Sequence, residues 1–146
     1  MEESINLPGR IREVFACEPV DIQTYSPLTL AYIGDDVYDL IVRTVLVSRG
    51  NRGADALHKS ASRFVKAKTQ AELAEAVMDI LTDQEKSVYR RGRNAKSYTS
   101  AKNASIGDYR KATGLEALMG YLYLTQRMER AIDLVREGFE RLALDI

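Results

Sequence analysis

Two acidic residues stand where a helical reading surrounds them with apolar neighbours: Asp35 in "LAYIGDDVYDLIVR" (Leu30 to Arg43) and Glu116 in "ATGLEALMGYLYL" (Ala112 to Leu124). On a helix, residues three and four apart face one another. Those around Glu116 are Ala112, Thr113, Met119 and Gly120; those around Asp35 are Ala31, Tyr32, Tyr38 and Asp39, with Gly34 adjacent. An ionised carboxylate left alone in a dry core costs several kcal/mol or takes up a proton, so such acids require an arginine, hydrogen bonds, solvent or a metal ion. Glycine inside a helix costs about 1 kcal/mol relative to alanine. Gly34 and Gly120 therefore imply the close approach of another backbone or of a ligand. If the two helices pack side by side, the carboxylates converge although they are distant in sequence. Hard carboxylate oxygens suit Mg²⁺, which keeps several waters and takes one or two protein carboxylates beside substrate phosphates. A metal ion so held lowers the pKa of bound water and neutralises charge building on phosphate oxygens, which is the chemistry of phosphodiester hydrolysis.

A phosphate substrate needs cations, and the net charge of zero from 21 basic and 21 acidic residues argues against a nucleic-acid binder on its face. The average conceals an asymmetry. From Lys86 to Lys111, "KSVYRRGRNAKSYTSAKNASIGDYRK" carries eight of the basic residues and a single acid, Asp108, which leaves 13 basic against 20 acidic residues elsewhere. Such a local patch can collect phosphates, though it is equally compatible with a solvated loop.

The elements that must position these groups read as helices. Ser26-Pro27 is an N-cap followed by proline at the first helical position, and Leu30, Ile33, Val37, Ile41 and Val45 recur at helical spacing, so a long helix is expected from Pro27 to Ser48. "RGNRG" ends it, and Ala54 to Lys66 forms a second helix with Leu57, Ala61, Phe64 and Val65 inward. Thr69 with Glu72, and Thr82 with Glu85, each carry the reciprocal capping pattern and predict two short helices. Gly92 to Ile106 reads as an exposed loop, Ser105 or Asp108 as a cap, and Met128 to Leu144 as a final amphipathic helix. No alternating strand pattern of useful length occurs. The expectation is an all-α fold, one domain over residues 1–146 with short connections around one core. A single cysteine, Cys17, excludes a disulfide framework and fits a reducing cytoplasm. No run of about 18 apolar residues indicates a membrane span.

Each acid taken alone would more often be exposed or salt-bridged than a ligand. Asp36 and Asp39 read as the solvated face of their helix, His58 as a surface or packing residue, and Tyr121 and Tyr123 as core or interface.

Taken together, the motifs resemble a family. "LAYIGDDVYDLIVR" is similar to the signature helix of the ribonuclease III superfamily and "ATGLEALMGYLYL" to its second catalytic helix. "RRGRNAKS" and "KNASIGDYRKATG" are similar to mini-ribonuclease III, the compact branch without a double-stranded-RNA-binding domain. The resemblance implies a ribonuclease III endonuclease-domain-like helical bundle working as a homodimer on duplex RNA. It also implies Mg²⁺-dependent, staggered cuts that leave a 5′-phosphate and a 3′-hydroxyl. Asp35 and Glu116 match the family's metal ligands and would be catalytic. The chain departs from the long members, which carry glutamates at the positions of Leu28 and Ala31 and an aspartate at Thr113, so a loosely held metal with a water-rich shell is expected. Arg90, Arg91, Arg93, Asn94, Lys96, Lys102 and Arg110 are the candidate RNA contacts. The implied substrate is precursor large-subunit (23S) ribosomal RNA, with a ribosomal protein as a further partner. A non-catalytic RNA-binding or ribosome-assembly protein of the same fold, and a helical dimerisation module, are the rival readings.

Overall fold

In a computed structural model, which describes residues 6–95 and 105–146, the described residues form seven α-helices and no strand. They are α1 (Leu7–Val14), α2 (Pro27–Arg49), α3 (Ala54–Val65), α4 (Ala67–Val77), α5 (Asp83–Asn94), α6 (Ile106–Leu124) and α7 (Met128–Arg141). The all-α expectation holds. None of these helices is long and apolar enough to cross a membrane.

α6 is the axle. Every residue from Ala112 to Leu122 is buried except Glu116, and a helix apolar on all sides must be enclosed by others. α2, α4 and α5 enclose it, with α3 against α2 and α7 against α4. Leu30, Val37, Tyr38 and Val42 of α2 join Leu115, Leu118, Met119 and Leu122 of α6 in the one core. α2 starts as its sequence predicts: the Ser26 hydroxyl accepts from the Leu28 amide at 3.2 Å and Pro27 takes the first helical position. Ser105, one of the two expected caps, starts α6 by accepting from the Asp108 amide at 3.0 Å.

The N-terminal segment, to which no element was assigned from the sequence, forms α1, because the Asn6 side chain caps it through the Gly9 amide at 2.9 Å and the Arg12 guanidinium donates to the Leu124 carbonyl at 3.1 Å. Two local expectations are corrected. Thr69 does not cap α4, which already begins at Ala67. Its hydroxyl donates to the Arg63 carbonyl and Gln70 Nε2 to the Val65 carbonyl, each at 2.8 Å, so these side chains close the end of α3 instead. The expected loop from Gly92 begins later, since Gly92 is buried against α6 and α5 continues to Asn94. Most of that loop, residues 96–104, lies outside the described residues.

The second capping pattern holds and has a larger role than a cap. Thr82 and Glu85 satisfy each other's amides at 3.1 and 2.9 Å, while the Arg130 guanidinium of α7 grips the Glu85 carboxylate at 3.0 and 2.9 Å and the Ile80 carbonyl at 2.7 Å. Burial pushes the Glu85 carboxyl up, but Arg130 and Thr82 outweigh it and hold it below its usual value. Removing one partner strands the other. Because Arg130 keeps 34% of its side chain in water, Glu85→Ala is expected to cost about 2–3 kcal/mol in urea unfolding at neutral pH, below the range for a fully buried pair. A carboxyl depressed on folding stabilises above its unfolded value and loses that contribution as pH falls through the folded one. The deficit of the variant should therefore shrink in acid.

Candidate active site

The site is built where α2 and α6 cross. At Gly34 a β-carbon would overlap the backbone carbonyl of Glu116, and at Gly120 it would overlap that of Leu30. The two glycines thus let the helix backbones touch. Asp35 follows the first glycine, and Glu116 lies one turn before the second.

The crossing brings the two acids into side-chain hydrogen-bonding contact. Asp35 is exposed and Glu116 half-buried. Burial, then the Asp35 hydrogen bond and charge, then the charge of Asp39, push the Glu116 carboxyl up to about 9. The pair is therefore arranged to share a proton or a cation. Asp39 feels this pair without joining it as a third ligand, and is less solvated than its sequence reading had it: it is half-buried, and burial, then Asp35, raise its carboxyl against the opposing charge of Arg43. Its position four residues after Asp35 was the available signal. Asp36 is exposed.

This donor set fits a cation such as Mg²⁺. It presents hard oxygens from two touching carboxylates, and the described residues contain no group of three or more His, Cys, Asp or Glu side chains arranged to hold a metal. A water-rich shell suits Mg²⁺, which sheds water reluctantly. Ala31 and Thr113 offer no further ligand from the two helices; both are buried, and the Thr113 hydroxyl donates to the Tyr109 carbonyl at 3.0 Å.

Those candidate RNA contacts that lie among the described residues gather along one seam. Arg90, Arg91, Arg93 and Asn94 occupy the end of α5, and Arg110 the start of α6, which packs against α5. Arg90, Arg110 and Asn94 are exposed. Arg93 lies with its guanidinium 5.9 Å from the centre of the Tyr89 ring and donates to Asn94 at 3.2 Å. Arg91 is committed in part to structure, donating to the Tyr25 carbonyl at 3.1 Å just before α2. Lys96 and Lys102 lie outside the described residues. His58 is exposed at a shallow cavity between α2 and α3, and Tyr121 is buried in the core, both as the sequence suggested.

Residues 28–127 match the family model described as the ribonuclease III domain. Among curated proteins, the chain is 48% identical to a mini-ribonuclease 3 from Enterococcus faecalis, over 79% of this chain and 89% of that protein. It is 49% identical to one from Thermoanaerobacter, over 75% and 77%, and 41% identical to one from Streptococcus pneumoniae, over 80% and 92%. A crystal structure of a protein from Fusobacterium nucleatum superposes with a TM-score of 0.74 at 27% identity, covering 84% of this chain and 98% of that one.

Proposed function

The chain belongs to the ribonuclease III family, in its mini-ribonuclease III branch, and from that premise we propose that Asp35 and Glu116 form the catalytic centre of a Mg²⁺-dependent endoribonuclease cutting double-stranded RNA. The observation that carries this reading is the crossing of α2 and α6 at Gly34 and Gly120, which brings the Asp35 and Glu116 carboxyls together. Asp35 and Glu116 would hold the ion. When bound, Mg²⁺ supplies charge neutralisation at the phosphate and a more acidic water. The water oxygen bonds to phosphorus, the bond to the 3′-oxygen breaks, and that oxygen leaves with a proton, which yields a 5′-phosphate and a 3′-hydroxyl. Arg90, Arg93, Asn94 and Arg110, with Lys96 and Lys102, hold duplex phosphates, and Arg91 divides its donors between RNA and the Tyr25 carbonyl. A-form RNA suits such recognition because its shallow minor groove and phosphates can be read by shape.

The family match and the single core support one catalytic domain over residues 1–146. Homodimerisation is supported by apolar side chains left in solvent on α1 and α2: Tyr32 is 82% exposed, Leu40 55% and Leu7 46%. Precursor 23S ribosomal RNA is the proposed natural substrate, a ribosomal protein a proposed partner, and the cytoplasm the proposed location.

The test is incubation of a long RNA duplex with the protein across a Mg²⁺ titration, beside a single-stranded control. Duplex-only cutting that saturates in the millimolar range is expected from a site with two protein ligands. Saturation at micromolar free Mg²⁺ would overturn the water-rich shell. Duplex binding without cutting at any Mg²⁺ concentration would return the chain to the non-catalytic RNA-binding reading.

A further inference from the structure

A second cationic segment stands outside the one that drew attention in the sequence. From Arg49 to Gln70 there are six basic residues and one acid, Asp55; once both segments are set aside, the rest of the chain holds 7 basic against 19 acidic residues. In that remainder, four of the seven basic residues, Arg10, Arg130, Arg136 and Arg141, each meet a carboxylate. The second segment behaves differently. Arg52, Lys59, Arg63 and Lys66 form no ion pair with a carboxylate among the described residues.

These residues also share a face. Lys59, Arg63 and Lys66 recur at spacings of four and three, on the side of α3 opposite the buried Ala61 and Phe64. The Arg52 guanidinium folds back onto α3 by donating to the Ser60 hydroxyl at 3.2 Å. Oppositely charged residues four apart stabilise a helix, as Arg136 with Glu140 does on α7; like charges four apart, as Lys59 and Arg63 are, destabilise it. A surface that collects unpaired cations on one face at the expense of its helix calls for a polyanion outside the chain.

The helix that carries the stripe is tied to the helix that carries Asp35. The Tyr38 hydroxyl, between Asp35 and Asp39 on α2, donates to the Phe64 carbonyl at 2.6 Å, so the last turn of α3 is fastened to the turn of α2 that carries the site. α3 packs along the later part of α2, and its 12 residues make a face of roughly 18 Å at 1.5 Å per residue. We propose that Lys59, Arg63 and Lys66, with Arg52, form a second phosphate-binding track, which holds the backbone of duplex RNA on the side of the acid pair away from the α5–α6 seam. This rests on duplex RNA being the substrate.

The test compares the wild-type protein with the triple variant Lys59→Gln, Arg63→Gln, Lys66→Gln, all three positions being solvent-exposed. Affinity for a perfect RNA duplex of about 30 base pairs is measured in metal-free buffer between 50 and 200 mM salt, a range over which counterion release is resolved. Three lost phosphate contacts should reduce the salt slope by about 2–3 and weaken binding by at least tenfold at the lower salt. A control, Arg136→Gln with Arg10→Gln, removes charge from paired positions and should leave the slope as it was. An unchanged slope in the triple variant, with a wild-type protein that binds and cuts duplex, overturns the track alone and leaves the stripe to another polyanion such as an acidic protein surface. An equal loss in the control also overturns it, because bulk charge would then be the cause. A wild-type protein that neither binds nor cuts duplex overturns the parent reading instead.

Discussion

Glu116→Ala is expected to slow duplex cleavage by about 10³-fold or more, roughly 4 kcal/mol of transition-state stabilisation, while duplex affinity in metal-free buffer changes little. The loss is expected to be large because Ala31 and Thr113 supply no carboxylate and, among the described residues, no third acid is arranged with Asp35 and Glu116 to hold a metal. A structural defect would produce the same activity result, so stability must be read in parallel, and there the expected sign is opposite. The Glu116 carboxyl sits near 4.5 in the unfolded chain and about 9 in the folded one. A group whose pKa rises on folding favours the folded state fully below its unfolded value, and that advantage disappears as pH rises through the folded value. Metal-free wild-type protein should therefore lose thermal stability progressively between about pH 5 and pH 9. Glu116→Gln cannot ionise, so it should lack that slope and melt several degrees higher at pH 8, each kcal/mol being worth about 2–4 °C in a chain of this size. Saturating Mg²⁺ should raise the wild-type melting temperature and leave the variant's unchanged. If the metal-free proteins melt alike at pH 8, the acids are not pressed together as their contact requires.

How far the sequence reached follows from what each residue's neighbours are. α2 and α6 were legible because both are long apolar runs, with Ser26-Pro27 and Ser105 marking their starts. Asp35 and Glu116 stood out because an acid among apolar residues needs a partner, but each alone favoured an exposed or salt-bridged reading, and only the family resemblance set the two together as candidate ligands. α1 was not legible: it is short, and the Arg12 clasp that holds it is visible only once Leu124 is in place. Asp39 was set aside because helical periodicity gives the angle of a side chain but not what packs beside it. Thr69 and Arg91 show the same limit. Each has the residue type for the role expected of it, yet a carbonyl distant in sequence or in another element claims its donor. The α3 stripe was overlooked because its segment carries fewer cations, six against the eight of the run from Lys86, and none of them adjoin in sequence.

Gly34→Ala separates the local reading of this sequence from the tertiary one, because the two predict opposite signs. By helix propensity alone, replacing a mid-helix glycine with alanine should stabilise by about 1 kcal/mol. In the fold, the added methyl would overlap the Glu116 carbonyl, a backbone atom on the most enclosed helix, which cannot swing aside as a side-chain end can. α2 and α6 must then part or the core must repack, and the expected outcome is destabilisation of about 3 kcal/mol or more in urea unfolding. Gly53→Ala provides the matched control: its β-carbon would meet nothing within 4 Å and its φ of −62° suits any residue, so it should be neutral or stabilising by about 0.5 kcal/mol. The functional consequence comes from the same displacement. Asp35 and Glu116 ride on the two backbones that the methyl pushes apart, and a misplacement near 1 Å can cost about 10²-fold in rate. Gly34→Ala should accordingly weaken the Mg²⁺-induced rise in melting temperature at pH 8 as well as cleavage, whereas Gly53→Ala should preserve both. A Gly34→Ala protein as stable and as responsive to Mg²⁺ as wild type would mean that the helices do not meet at these glycines, and the paired-acid site would lose its structural basis.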